Sequence, residues 1–354
     1  MRERARDVMK RLALCAGVTA VLAVTTAGAM AQSSLPAPGP TVEAIKKRGE
    51  LICGVDAGIP GFAFQDSAGK WKGFDVAYCR AIAAAVLGDP EKVKYVGLTA
   101  KVRFTVLQAG EIDVLIRDST LTFSRDVQLG LTEVAINFYA GQGFMVRKSL
   151  GVKEASELNG ATLCMVTGAT LELNIADYAR AKGVTINSLL FEKTEEAFAA
   201  AEAGRCDGYT DDTGSLAAAR STMKVPDDWV ILPTVISKEP LGIHVRDGDE
   251  RWRDITFWVD AALKEAEESG VTKANADEMK TSSKNPFVMR LLGTEGDFGK
   301  LLGLDPEWAL RAIKADGNYG ELYDTYFGPK ALGLPRGLNN LWNNGGLHYP
   351  LPFR

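Results

Sequence analysis

Between Leu51 and Thr210 the chain runs twice through one alternation, a short β-branched stretch followed by a helical pattern. Leu51-Ile52-Cys53-Gly54-Val55 reads as a strand. Asp75 reads as the N-cap of a helix that carries Val76, Cys79, Ala83 and Val86 on one face and stops at Gly88. A strand follows over 93–98, then a short helix through Phe104 and Leu107 that Gly110 ends, then a strand over 113–116. The pattern restarts after Lys148, with strands at 162–166, 185–191 and 206–210 and helices at 170–181 and 195–203 between them. Such alternation implies βαβ units and largely parallel sheets, and two cassettes imply two α/β lobes.

Short strands at 143–146 and 241–245 bracket the second cassette. Read as crossings, they divide the chain into one lobe of 41–143 with 241–354, including a C-terminal extension, and an inserted lobe of 144–240. Past the second crossing, Trp252, Ile255, Val259 and Leu263 share one face of a helix over 250–268, and Asp305-Pro306 reads as the start of another. The Asn-, Gly- and Pro-rich stretch 335–354 is expected to wrap the surface as ordered loop. A cleft between two lobes is the default place for a small ligand.

The first residues read as an export peptide, 1–31. Arg2 to Arg11 is basic, Leu12 to Val24 is apolar, and Ala29-Met30-Ala31 fits a small-residue cleavage site. The apolar run of 13 residues is shorter than the roughly 20 that span a bilayer, and Cys15 falls within the removed peptide. An exported, periplasmic protein is therefore expected. Of 41 Lys and Arg and 45 Asp and Glu, 36 and 43 remain after cleavage, so the mature chain carries a net charge near −7. That balance argues against binding nucleic acid. Only two histidines, His244 and His348, are present, which argues against His-rich metal sites and His-based triads.

Four cysteines remain after cleavage: Cys53, Cys79, Cys164 and Cys206. In an oxidising compartment they favour two disulfides, for which three pairings exist. Pairing Cys53 with Cys79 and Cys164 with Cys206 closes the shortest loops and gives each lobe one bridge. None lies in a C-x-x-C motif, so redox catalysis is not indicated.

Three segments stand just past strand ends, where cleft loops belong. Arg117-Asp118-Ser119-Thr120-Leu121-Thr122-Phe123-Ser124-Arg125-Asp126 offers hydroxyls, N–H groups and arginine forks suited to a carboxylate; a solvated polar loop is the alternative. Thr167-Gly168-Ala169-Thr170 opens a helix and can aim free N–H groups at an anion, or simply cap that helix. Asp211-Asp212-Thr213-Gly214 can meet an ammonium group, or cap a helix beginning near Ser215. Together they supply an anion clamp from both lobes and one acid for a cation, which is what an α-amino acid zwitterion requires.

These stretches resemble the solute-binding subunits of polar amino-acid ABC importers, close to the general L-amino-acid-binding proteins. The likeness is carried by Gly73-Phe74-Asp75-Val76, the 113–126 segment, Gly204-Arg205-Cys206-Asp207, Leu291 to Gly296, Gly317-Asn318-Tyr319-Gly320-Glu321 and the ending from Leu334 to Arg354. The resemblance implies the type II periplasmic-binding-protein fold, two α/β lobes joined by two hinge strands. It implies that Arg125 binds the ligand α-carboxylate with the N–H groups of Thr122 and Thr170, in the turn that holds Ala169. Thr120, the carbonyl of Asp118 and the carboxylate of Asp212 are then expected to hold the α-ammonium group. Arg117 is expected at a polar or acidic ligand side chain, or else as a structural arginine. Leu121 stands where this subgroup usually has tryptophan, and Asp118 and Ser119 where asparagine and threonine are usual, which shifts side-chain preference.

The expected protein is a non-enzymatic, monomeric binder without cofactor or metal. It captures polar L-amino acids of the glutamate, glutamine, aspartate and asparagine class or more broadly, and delivers them to membrane permease subunits. The rival reading is a cyclohexadienyl (prephenate or arogenate) dehydratase-like enzyme on the same scaffold, with Asp118 or Asp211 as its acid. No P-loop G-x-x-x-x-G-K-[ST] occurs.

Overall fold

The structure, a computed structural model, describes residues 39–354. The export peptide read in 1–31 and its Cys15 lie outside the described residues. The strands are β1 (Leu51–Val55), β2 (Gly58–Ile59), β3 (Ala63–Gln65), β4 (Trp71–Lys72), β5 (Val93–Gly97), β6 (Val114–Thr120) and β7 (Leu131–Ala140). They continue as β8 (Gln142–Arg147), β9 (Thr162–Val166), β10 (Asn187–Phe191), β11 (Gly208–Asp212), β12 (Trp229–Ile231) and β13 (Glu239–Arg246).

Two five-stranded sheets result, ordered β5-β1-β6-β13-β7 and β10-β9-β11-β8-β12, besides a small sheet of β2, β3 and β4. Within the first, β1 pairs in parallel with β5 and β6, while β13 lies antiparallel to β6 and β7. The second repeats the scheme, with β9 parallel to β10 and β11 and β8 antiparallel to β11 and β12. The expectation of largely parallel sheets is thus corrected: each βαβ core is parallel, and each crossing strand adds an antiparallel neighbour. The chain passes between sheets at 140–142 and again at 231–239, and the two passages touch, since Gln142 N donates to Ser237 Oγ at 3.0 Å.

The helix Phe74–Leu87 begins one residue earlier than expected, with Gly73 rather than Asp75 at the N-cap. A Cβ at position 73 would fall 2.1 Å from the carbonyl oxygen of Phe62, so only glycine lets the chain enter there. Nearly all of this Ala-rich helix is buried between the first sheet and the helices Glu250–Glu268 and Trp308–Asp316. The last of these starts at Trp308, whereas Asp305 and Pro306 form the turn before it, with Trp308 N donating to Asp305 O at 3.2 Å. A second apolar core lies on the sheet of β8 to β12. Disulfides join Cys53 to Cys79 and Cys164 to Cys206; the first fixes the buried helix to β1, the second ties β9 to the turn before β11.

The ending is ordered as expected and held by named bonds. Asn339 accepts from Tyr139 N at 2.7 Å and donates to Tyr139 O at 2.9 Å, while Phe353 packs among Trp258, Phe298 and Trp308. Buried His348 lies 2.7 Å from the Tyr319 hydroxyl, a structural role. Among the described residues no helix is long and apolar enough to cross a membrane.

Candidate functional site

The carboxyl ends of β6, β9 and β11, with the residues that follow β5, converge on one small cavity of about 20 Å³. Residues of both sheets line it: Arg103, Arg117, Asp118 and Thr120 from the first, Thr170 and Asp212 from the second. The residues 117–120, expected in a loop, are instead the last part of β6. Against β13, Gly242 pairs with Ser119 and Ile243 with Ile116, so Arg117 and Asp118 bulge out of register. A bulge re-aims side chains that regular pairing would direct elsewhere. Asp118 has φ of 32°, the one non-glycine residue with positive φ among those described, a conformation that Asp and Asn tolerate better than other side chains.

Each guanidinium nitrogen of Arg117 makes one hydrogen bond. Its Nε donates to Leu98 O at 2.9 Å, Nη1 to Asp118 at 2.9 Å and Nη2 to Asp56, the residue just past β1. The structural role weighed for it above matches this geometry. Arg125 donates from Nη1 to Thr120 O at 2.8 Å and stacks 5.0 Å from the Phe104 ring centroid, beside rather than in the cavity. Thr122 caps the helix Phe123–Gln128, accepting from Arg125 N at 3.3 Å. Leu121 lies with Phe104, Arg125 and His244 behind the cavity wall.

Of the two arginines lining the cavity, Arg103 is the one without a carboxylate partner. It is 2% exposed, its Nε and Nη1 have no partner, and its Cζ sits 4.7 Å from the Phe104 centroid. Burial, then repulsion from Arg117 and Arg125, pushes its pKa well down. Sequence reasoning missed it, although Lys101-Val102-Arg103-Phe104 follows the strand β5 as closely as the segments singled out.

Across the cavity, Asp212 holds the N-cap position of the helix Thr213–Thr222 but makes no capping bond, so that alternative does not account for it. Its Oδ1 is buried without a partner, and burial, then the charge of Asp211, keeps its carboxyl well above the usual range. Burial likewise raises Asp118 to about 6 and Asp211 to about 7; the Tyr209 hydroxyl and Asp212 N bond Asp211. Thr170 precedes the helix Leu171–Lys182, and its hydroxyl goes not to the helix end but to Glu239, at 3.0 Å. Gly168, at φ of 79°, brings the turn holding Ala169 against the first sheet; a Cβ there would lie 2.8 Å from Lys101 Cα. Among the described residues no group of three or more His, Cys, Asp or Glu has metal-binding geometry.

Comparison with known proteins agrees along the chain. The family model for bacterial extracellular solute-binding proteins, family 3, matches residues 51–278. The chain is 52% identical over 347 residues to the glutamate/glutamine/aspartate/asparagine-binding protein BztA of Rhodobacter capsulatus, covering 98% of this chain and 100% of that protein. It is 49% identical over 349 residues to the general L-amino acid-binding periplasmic protein AapJ of Rhizobium johnstonii, with 98% and 100% covered. Among solved structures, a periplasmic binding protein of an ABC transporter from Brucella ovis with glutathione bound superposes with a TM-score of 0.87 at 51% identity, over 90% of this chain and 100% of that one.

Proposed function

The chain belongs to the bacterial extracellular solute-binding proteins, family 3, and from that premise we propose that it captures polar L-amino acids in the periplasm and hands them to the permease of an ABC importer. One observation carries the ligand class. The cavity sets an unpaired buried guanidinium, Arg103, across from an unpartnered buried carboxylate oxygen of Asp212. A buried charge without a partner costs several kcal/mol, and a ligand bearing both a carboxylate and an ammonium group relieves both costs at once. Arg103 then takes a ligand carboxylate, and Asp212, with Thr120 and the Asp118 carbonyl, takes the ammonium group. Arg125 supports this site from behind Phe104.

Residues 41–143 with 241–354, and 144–240, act as the lobes. A cavity of about 20 Å³ admits an amino acid only when these part, and Asp212 and Thr170 reach a ligand seated on Arg103 only when they close. That differential contact is what shifts the equilibrium toward the closed form. A ligand of about ten heavy atoms reaches micromolar affinity, about −8 kcal/mol, within the usual efficiency ceiling. No chemistry is asked of the site. The dehydratase reading finds no support among relatives named as binding proteins over almost the whole chain.

The test is calorimetry on the mature, unfolded-and-refolded protein with all twenty amino acids and glutathione. Micromolar heats with acidic or amide amino acids are expected; silence toward all twenty sinks the proposal, and binding of glutathione alone replaces it with a γ-glutamyl peptide ligand.

A further inference from the structure

Glu239 opens β13 where the chain returns to the first sheet, and it is 2% exposed. Its carboxylate takes four hydrogen bonds. Thr120 Oγ1 and Thr170 Oγ1, the latter at 3.0 Å, donate to Oε2; Asn174 Nδ2 at 2.7 Å and Ser237 Oγ at 2.6 Å donate to Oε1. No lysine or arginine pairs with it within the ion-pair limit among the described residues. Two of its donors also line the cavity: Thr120, which ends β6, and Thr170, in the turn after β9.

A hydroxyl has one proton. With those of Thr120 and Thr170 committed to Glu239, both oxygens have only lone pairs to offer the cavity. The unpartnered Oδ1 of Asp212 belongs to a residue lining the same cavity. With Asp212 ionised, three acceptors line one cavity, matching the three N–H donors of a primary ammonium group. We propose that Glu239 is a positioning residue that makes the site demand an amine, by turning Thr120 and Thr170 into acceptors without itself touching the ligand. This inference rests on the amino-acid reading above and deepens it. A 2-oxo acid of the same length brings an acceptor to this place and is rejected; an amino acid brings donors and is held.

The test is a selectivity ratio, which a merely structural tie between the sheets would not move. Dissociation constants are measured by calorimetry for L-glutamate and 2-oxoglutarate, on the wild type and on Glu239→Gln and Thr170→Val. In Glu239→Gln the amide can donate to the threonine oxygens, releasing their protons toward the cavity. The ratio favouring L-glutamate is expected to fall by at least about tenfold, the scale of one charge-assisted hydrogen bond. Thr170→Val, which keeps the side-chain shape, is expected to weaken L-glutamate alone, and it serves equally where Glu239→Gln does not fold. Equal weakening of both compounds in either folded variant overturns the inference while leaving the amino-acid reading intact. A wild type that binds neither L-glutamate nor any other amino acid overturns that reading instead, and this one with it.

Discussion

Arg103 lies with its guanidinium carbon 4.7 Å from the ring centroid of Phe104 and with two of its nitrogens unbonded. Stacking on an aromatic face offsets only part of the cost of burying that charge. Replacing Arg103 with Met keeps the length of the side chain and removes the charge. The expected result is a protein about 1–3 kcal/mol more stable to urea that no longer binds acidic amino acids. A destabilised Arg103→Met with unchanged affinity would place Arg103 in the framework rather than the site.

Arg103 also marks the limit of what the sequence makes legible. The βαβ cores were readable because Leu51 to Val55 and Thr162 to Val166 are unbroken apolar runs with glycine-ended helices behind them. Of the residues those strand ends singled out, the structure brings Asp118, Thr120, Thr170 and Asp212 together on one cavity. Which arginine stays free could not be read, because it depends on Asp56 lying 61 residues away from Arg117 and claiming it. Nor could the bulge at Arg117 and Asp118, since it arises from pairing with Gly242 and Ile243 more than a hundred residues on. The long strand β7 was missed as well; its buried and half-buried positions follow no strict alternation.

The acids of the cavity give binding a pH dependence with a definite sign. Burial raises Asp118 to about 6 and Asp211 to about 7. An ammonium group favours ionised neighbours, so capture releases protons and affinity rises as pH climbs through this range. L-Glutamine is the cleanest probe, its side chain being neutral throughout. Its dissociation constant is expected to fall from about pH 5.5 to about pH 8, and Asp118→Asn should flatten the lower part of that curve. A flat profile in the wild type would separate these acids from the ammonium group.

The disulfides close chain separations of 26 and 42 residues. By loop entropy they are worth about 3.5 and 4 kcal/mol. Paired serine replacements at Cys164 and Cys206 are expected to lower the urea midpoint at least as much as those at Cys53 and Cys79, with the denaturant slope read alongside to detect a changed unfolded state.

Behind Phe104, His244 Nε2 lies 3.2 Å from Glu133 Oε2, with the Glu133 side chain 2% exposed. His244 Nδ1 faces the Gly242 carbonyl at 3.2 Å, a pure acceptor, so Nδ1 carries the ring proton and Nε2 is bare when the ring is neutral. No hydrogen bond joins the two, and a bare Nε2 beside a buried Glu133 favours a protonated carboxyl. Burial supplies it, raising Glu133 to about 9 against the pull of Arg125, while burial with Arg103 and Arg125 lowers His244 to about 3. Glu133 is raised in the folded state, so its contribution to stability is whole below about 4.5 and is lost as pH climbs toward about 9. His244 is lowered, so its contribution is whole above about 6.5 and is lost as pH falls toward about 3. Glu133→Gln keeps the shape and neutrality of a protonated carboxyl without titrating. Its melting temperature is expected to match the wild type near pH 4.5 and to exceed it by a margin that widens steadily into alkaline solution. Parallel melting curves for the two proteins across that range would mean that Glu133 is ionised in the fold and His244 carries the second proton.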